Sequence, residues 1–425
     1  MRFVVTKPSL PELVVPSEPT PAGKLPLTST DKSRLFVSFT SFHIFESPIH
    51  EPAATIRRAL SKALVHYYPV AGRVAVGAGG DHDHHIACTG DGVAFVAATA
   101  SCTLQDIKFL GAPPAIPPDD LALRYGGCCR TPDPLLMMQV TEFACGGYIV
   151  ATTWNHGVAD AFGLAQFLHA VGELARGLPS PSVAPVRCDE SLPDIRQLRS
   201  AVRKRSPRPA VLHHMDMAYC DVTIPWSFIN RVKAEFRDHA GGRPPCTSFE
   251  VVTAAVWRCQ TRAINADPDA PAPLVFTANV RKHIGAKDGY YGNCVFSQLV
   301  EATGGAVAGG AIVDVVGLIK DAKQRIPEAL TTCAGETAMD DKLIGALCGY
   351  GVLAVSTWGG IGLDGVDFGG GRPVRVLPNM ERTVAPLCFP CLPFSRKSDH
   401  GANVIATCVT EEHVEEFLAE IGRLQ

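Results

Sequence analysis

One short run in this chain carries side chains whose types and spacing suit proton transfer: Trp154-Asn155-His156-Gly157-Val158-Ala159-Asp160. A neutral imidazole accepts a proton near neutral pH. His156 is therefore the candidate general base for an alcohol or amine attacking an electrophile. The competing reading is a core histidine satisfied by backbone. Asp160 also has two readings. It could orient the imidazole, as in a triad. It could instead open the following helix, where the N-terminal dipole favours a carboxylate, and pair with a distant arginine. The spacing favours the second, because an offset of four residues does not force the two side chains together.

Other clusters support less chemistry. His82-Asp83-His84-His85 offers metal ligands, and His156 with Asp160 could add two more. The run reads as a polar, glycine-flanked loop tip, however, and no H-E-x-x-H is present, so no metal site is expected. Cys388 and Cys391 form a C-x-x-C without a second pair at zinc-ribbon spacing, which reads as loop packing. There is no G-x-S-x-G elbow, dinucleotide fingerprint or Walker loop. Val366-Asp367-Phe368-Gly369-Gly370-Gly371-Arg372-Pro373 reads as a tight turn whose aspartate accepts hydrogen bonds.

The elements that must position these residues follow from periodicity. Strands are expected at 35–39, 217–224, 274–280, 352–356 and 404–409. Hairpins are expected at 86–97, around Gly90-Asp91-Gly92, and at 135–154, across Cys145-Gly146-Gly147. Helices are expected at 56–67, 227–237, 312–326 and 411–421. Another runs from about 159 to 176, with Leu164, Phe167, Leu168, Val171, Leu174 and Ala175 on one face and Phe162 on the other. It therefore needs burial on more than one side, and it anchors the histidine loop. A further helix starts near Thr247-Ser248-Phe249-Glu250, capped by Thr247 or Ser248, and runs to about 263. Pro179 to Pro209 is rich in proline and arginine and reads as a solvated crossover between domains.

With 425 residues, of which 46% are hydrophobic and 19% charged, the chain is long enough for two folded domains and is not disordered. The net charge of −3 argues against nucleic acid as the main partner. Fifteen cysteines, an odd count in a long chain, suggest mostly reduced thiols in a reducing compartment. No stretch approaches ~18 apolar residues, so no membrane association is expected. The N-terminus lacks the order of a signal peptide. A soluble cytoplasmic protein is the expectation.

The ordered set of motifs resembles plant BAHD-type acyl-CoA-dependent acyltransferases. His156-Gly157-Val158-Ala159-Asp160 resembles their H-x-x-x-D, and Asp367-Phe368-Gly369-Gly370-Gly371 their D-F-G-W-G. Supporting pieces are Tyr67 to Arg73, Ser248-Phe249-Glu250 with Trp257, Asn279-Val280-Arg281, Tyr291-Gly292-Asn293 and Ser356-Thr357-Trp358. The resemblance implies an α/β chain of two chloramphenicol-acetyltransferase-like domains of similar size with a channel between them. Residues 1–180 would form the first, 181–215 the crossover and 216–425 the second.

It further implies transfer of a hydroxycinnamoyl or benzoyl group from acyl-CoA to a small-molecule amine or alcohol. His156 would act as base, attack would be direct, and there would be no acyl-enzyme. Acyl-CoA would be a co-substrate, with no permanently bound cofactor, and a monomer is expected. Asp160 would pair with Arg281, and Asp367, Gly369 and Gly371 would support the site structurally. Ser356 and Trp358 would lie near the reacting groups, and Ser248 near the CoA arm. Two departures stand out: Ala161 replaces the glycine that usually follows the aspartate, and Gly370 replaces the tryptophan of D-F-G-W-G. The second allows a catalytically silent binding protein on the same scaffold. A carrier-dependent condensation domain is a third reading, but Asn155 stands where such domains carry another histidine.

Overall fold

The computed structural model describes residues 3–78, 83–126, 132–192, 216–239, 242, 244–332, 349–379 and 385–425. In chain order the first strands are β1 (Val5–Thr6), β2 (Glu12–Val14), β3 (Gly23–Pro26), β4 (Ser38–Phe45), β5 (Arg73–Val76), β6 (His84–Cys88), β7 (Val93–Ala100), β8 (Leu136–Phe143) and β9 (Tyr148–Asn155). With them come helices α1 (Ser29–Lys32), α2 (Pro52–His66) and α3 (Ala161–Ala175). The later strands are β10 (Cys220–Pro225), β11 (Leu274–Asn279), β12 (Val295–Val300), β13 (Leu353–Val355), β14 (Arg375–Pro378), β15 (Leu387–Leu392) and β16 (Gly401–Thr407). The later helices are α4 (Trp226–His239), α5 (Ser248–Ala263), α6 (Gly304–Gly309), α7 (Ile312–Gln324), α8 (Ile326–Thr332) and α9 (Val414–Gly422).

The chain forms two compact units, each discontinuous in sequence. The first gathers 1–194, 281–294 and 360–379; the second gathers 195–280, 295–359 and 380–425. A single cut between residues 180 and 215 does not describe them, because two later excursions return to the first unit.

The first unit is built on a mixed sheet in the order β1-β7-β8-β9-β4-β14, with β2 also pairing β7, and on a small sheet β3-β6-β5. All eight residues of β9 are buried. It is a central strand covered on both faces, which is why its apolar run does not alternate. Its antiparallel pairing with β8 is the expected second hairpin. The expected first hairpin does not form. β6 pairs with β5 and β3, whereas β7 crosses to the large sheet and runs parallel to β8. Gly90 and Gly92 take left-handed φ of 71° and 91°, which redirects the chain between the sheets. β7 is apolar on both faces and suits a sheet interior better than a small ribbon. The expected strand at 35–39 starts later, at Ser38, and leaves Phe36 and Val37 exposed.

The second unit holds the sheet β10-β16-β15-β13-β11-β12, packed with α4, α5 and α7. Strands β12, β14 and β15 escaped the sequence reading. β15 contains Cys388 and Cys391, with a register irregularity between Phe389 and Leu392. α5 opens with a reciprocal capping box: Thr247 accepts from the Glu250 amide, and Glu250 accepts from the Thr247 amide. Thr247 is thus the cap, and Ser248 is the first helical residue.

Candidate active site

The site is assembled where β9 ends. The strand delivers Asn155 and then turns, with Asn155 Oδ1 accepting from the Gly157 amide at 2.8 Å and the Asn155 carbonyl accepting from Val158 at 3.0 Å. α3 begins immediately after, capped by Asp160, which accepts from the Gly163 amide at 3.0 Å. The histidine loop is therefore pinned between a central strand and a capped helix.

Each peptide carbonyl from 156 to 160 has a named donor. His156 O accepts from Asn293 Nδ2 at 2.7 Å. Gly157 O and Val158 O accept from Arg187 Nη2 and Nε at 3.2 and 3.0 Å. Ala159 O accepts from Trp154 Nε1 at 3.0 Å. Asp160 O accepts from Leu164 N at 2.9 Å. The His156 amide donates to Val37 O at 2.8 Å. Such complete satisfaction leaves the loop little freedom, the condition for holding a reacting side chain in one geometry.

The His156 side chain is half-buried, and Phe39 meets its ring edge-on at a centroid distance of 5.0 Å. Its Nδ1 is buried with no hydrogen-bond partner among the described residues. Burial first, and then the Arg34 cation, hold its pKa down at about 4. The imidazole is consequently neutral, and able to accept a proton, throughout the neutral range.

Asp160 makes no hydrogen bond to this ring, and its charge raises the imidazole pKa only as a lesser influence than burial and Arg34. It is 1% exposed, and both its oxygens are occupied. Oδ1 accepts from Gly163 N and Arg281 Nη2; Oδ2 accepts from Arg281 Nη1 at 2.8 Å and Cys294 N at 3.0 Å. Burial alone would raise its pKa. The Arg281 charge and hydrogen bonds, with the two amides, outweigh that and leave it lowered. Arg281 is in turn held by the Tyr290 and Gly292 carbonyls and stacks over Phe162 at 5.4 Å. That contact explains why Phe162 faces away from the apolar stripe of α3. The helix also carries Gly163 and Gly172 for packing: an added Cβ would lie 1.9 Å from Tyr291 O and 2.4 Å from Asp367 O, respectively.

A second buried carboxylate works beside the first. Asp31, 0% exposed, accepts from Thr28 N and Arg187 Nη2 on Oδ2, each at 3.0 Å. Its Oδ1 accepts from Asn293 N at 3.1 Å and Asn293 Nδ2 at 2.8 Å. No role was expected from sequence for Asp31, Arg187 or Asn293. The T-x-x-D spacing of Thr28 and Asp31 signals a helix cap, but nothing local links it to His156. Arg187 sits in the stretch read as a solvated crossover, yet it is buried. The basic residues of that stretch from 196 to 208 lie outside the described residues.

Asp367 closes its turn by accepting from the amides of Gly369 and Gly371 at 2.7 and 2.9 Å, with left-handed φ at both glycines. Arg176, just after α3, donates to the Asp367 carbonyl. The turn thus braces the far end of the helix that starts at the histidine loop. At Gly370 an added Cβ would come within 2.8 Å of Ser47 O and 2.9 Å of Ile49 Cγ2. The backbone occupies the space a side chain would need, so this turn packs without a tryptophan. Ala161 is the first residue of α3 and leaves the cap intact.

The remaining expected residues belong to the second unit. Ser248 is half-buried and accepts from Lys233 Nζ at 2.8 Å. Ser356 is half-buried at the end of β13, its amide donating to Cys388 O. Trp358 is buried edge-on against Phe389. As for the histidine run, His84 and His85 lie in β6 rather than in a loop tip, because they pair with Val76 and Ala75; His82 lies outside the described residues. No cluster of three metal-ligating side chains occurs among the described residues. Nor is any helix among them long and apolar enough to cross a membrane.

Comparison with known proteins agrees with this architecture. A model described as the Transferase family matches residues 4–423. "Acyl transferase 15" of Oryza sativa subsp. japonica is 40% identical over 447 residues, covering 100% of this chain and 99% of its own. The myricetin 3-O-glucosyl 1,2-rhamnoside 6'-O-caffeoyltransferase AT1 of Crocosmia x crocosmiiflora is 34% identical over 448 residues, covering 99% of both chains. Among solved structures, vinorine synthase matches with a TM-score of 0.71 at 19% identity, over 99% of this chain and 98% of that one. F. graminearum TRI101, complexed with coenzyme A and deoxynivalenol, matches with a TM-score of 0.68 at 16% identity, over 94% and 97%. The chain belongs to the BAHD-type transferase family. It is an acyl-CoA-dependent acyltransferase with an α/β fold of two chloramphenicol-acetyltransferase-like domains.

Proposed function

We propose that the protein transfers a hydroxycinnamoyl- or benzoyl-type acyl group from acyl-CoA to the hydroxyl or amine of a small molecule, with His156 as general base. The observation that carries this is a half-buried imidazole, kept neutral by burial and the Arg34 cation, on a loop whose carbonyls from 156 to 160 are all held. The imidazole takes the acceptor's proton as its oxygen or nitrogen attacks the thioester carbonyl carbon. The tetrahedral intermediate collapses with cleavage of the C–S bond, and the proton passes from the imidazolium to the departing thiolate, giving coenzyme A. No acyl-enzyme forms. We assign Ser356 and Trp358 to the surroundings of the reacting groups, where the developing oxyanion needs donors.

For the donor, Ser248 at the start of α5 lies beside Lys233, and Lys323 reaches Glu250, two residues on in the same turn, at 2.7 Å. A helix N-terminus ringed by lysines suits the phosphates of a CoA arm. The caffeoyltransferase relative supports a hydroxycinnamoyl donor. An alkylamine acceptor, with a pKa of about 10.4, reaches the site mostly protonated and would react faster as pH rises; a hydroxyl acceptor would not show that trend.

The test is thiol release from hydroxycinnamoyl-, benzoyl- and acetyl-CoA mixed with panels of alcohols and amines. Turnover with an aromatic acyl-CoA, cut roughly 10²–10⁴-fold in His156→Ala to a residual but measurable rate with the melting temperature retained, is the expected result. Full activity of the His156→Ala enzyme would overturn the base assignment. Binding of both substrates without any thiol release would favour a silent binding protein.

A further inference from the structure

We propose that Arg187 and Asp31, joined through Asn293, are positioning residues for His156. The inference rests on His156 being the base and adds the groups that hold it in register. Both peptide planes flanking the His156 Cα are fixed: the amide by Val37 O, the carbonyl by Asn293 Nδ2. The next two carbonyls are gripped by the guanidinium of Arg187, whose side chain is 4% exposed. Asp31 orients both donors. Its carboxylate bonds Arg187 at 3.0 Å and takes two hydrogen bonds from Asn293.

The chemistry explains the residue types. Only a planar fork can serve two successive carbonyls and a carboxylate at once; a lysine ammonium is a single point with different reach. The buried Asp31 carboxylate offsets the charge of that fork, which stays protonated in any case, and fixes its orientation. The Arg187 ring contact with Tyr291, 5.9 Å from its centroid, adds a lateral restraint. The device is distinct from the Asp160–Arg281 pair, which anchors the start of α3 rather than the peptide units that carry the imidazole.

Arg187→Lys and Asn293→Ala test this, read by thiol release with saturation in each substrate. A displacement of about 1 Å at a reacting group costs roughly a hundredfold in rate. We expect kcat to fall roughly ten- to a hundredfold while KM for both substrates stays within about threefold. In a His156→Ala background, adding Arg187→Lys should cost nothing further, because a residue that acts through the imidazole has nothing left to position. Guanidinium added to Arg187→Ala should restore part of the rate. Asn293→Ala keeps the Arg187–Asp31 pair and covers the case in which Arg187 variants do not fold.

Unchanged kcat in a folded variant, a rise in KM with kcat retained, or an additive loss in the His156→Ala background would each overturn the proposal. Full activity of His156→Ala would instead remove the base reading and this inference with it, so the two failures are distinguishable.

Discussion

Replacing Asp160 with asparagine separates charge from shape at the best-defined ion pair in the first unit. The substitution keeps size and an oxygen that can still accept from Gly163, so the α3 cap survives. It removes the charge opposite Arg281 and turns one acceptor into a donor that faces other donors, Arg281 and the Cys294 amide. Breaking a buried pair by removing one partner costs about 3–5 kcal/mol. The lower end applies here, because Arg281 is 15% exposed and keeps the Tyr290 and Gly292 carbonyls and the Phe162 ring. For a domain of this size ~3 kcal/mol corresponds to a fall in Tm of roughly 6–12 °C.

Asp160→Ala loses the cap as well, about 1 kcal/mol more, and should melt a further ~2–4 °C lower. Thermal melts followed by circular dichroism at pH 7 read both. Raising the salt to 0.5 M should leave the differences in place, because a buried pair is poorly screened. A Tm for Asp160→Asn within measurement error of the parent would refute the reasoning, as would an alanine variant more stable than the asparagine one. kcat should fall with both, since the histidine loop loses its anchor at the helix start.

Three further outcomes follow from the same geometry. With the His156 pKa near 4, kcat/KM for an alcohol acceptor should be flat from about pH 8 to 5 and fall only below that; an ascending limb near pH 7 would show that the imidazole is not held down as described. Gly163→Ala should lower both stability and rate. Alanine gains up to ~1 kcal/mol of helix propensity, but its Cβ meets the Tyr291 backbone and must push the 281–294 segment away; a higher Tm with full activity would count against this packing. His43 is fully buried, and burial, then His169, hold its pKa at about 3. Its folded pKa lies below the unfolded value of about 6.5, so its contribution is complete above that pH and is lost as pH falls toward 3, by roughly 4–5 kcal/mol in all. The parent should lose stability between pH 6 and 4 more steeply than His43→Leu; equal slopes would exclude His43 as the source.

The motif residues and their local structure were legible in sequence. His156 at a strand end, Asp160 at a helix start and the glycine turn at 367–371 are local patterns, and local hydrogen bonds build them: the Asx cap to Gly163 and the Asp367 bonds to Gly369 and Gly371. The long helices and the 135–154 hairpin were legible for the same reason, since period and turn residues act over a few positions.

Pairing between distant segments was not legible. β7 chose β8 over β6, and β14 joined the first sheet from far along the chain, because strand partners are set by which faces can be buried together. A short strand such as Arg375–Pro378 has no periodicity long enough to read. The same limit hid the second clamp. Asp31, Arg187 and Asn293 are ordinary polar residues in sequence, separated by more than a hundred positions at each step. Local spacing thus determined which side chains this protein offers for chemistry. Tertiary structure decided which of them are held still, because a buried charge persists only where distant donors and acceptors are brought to meet it.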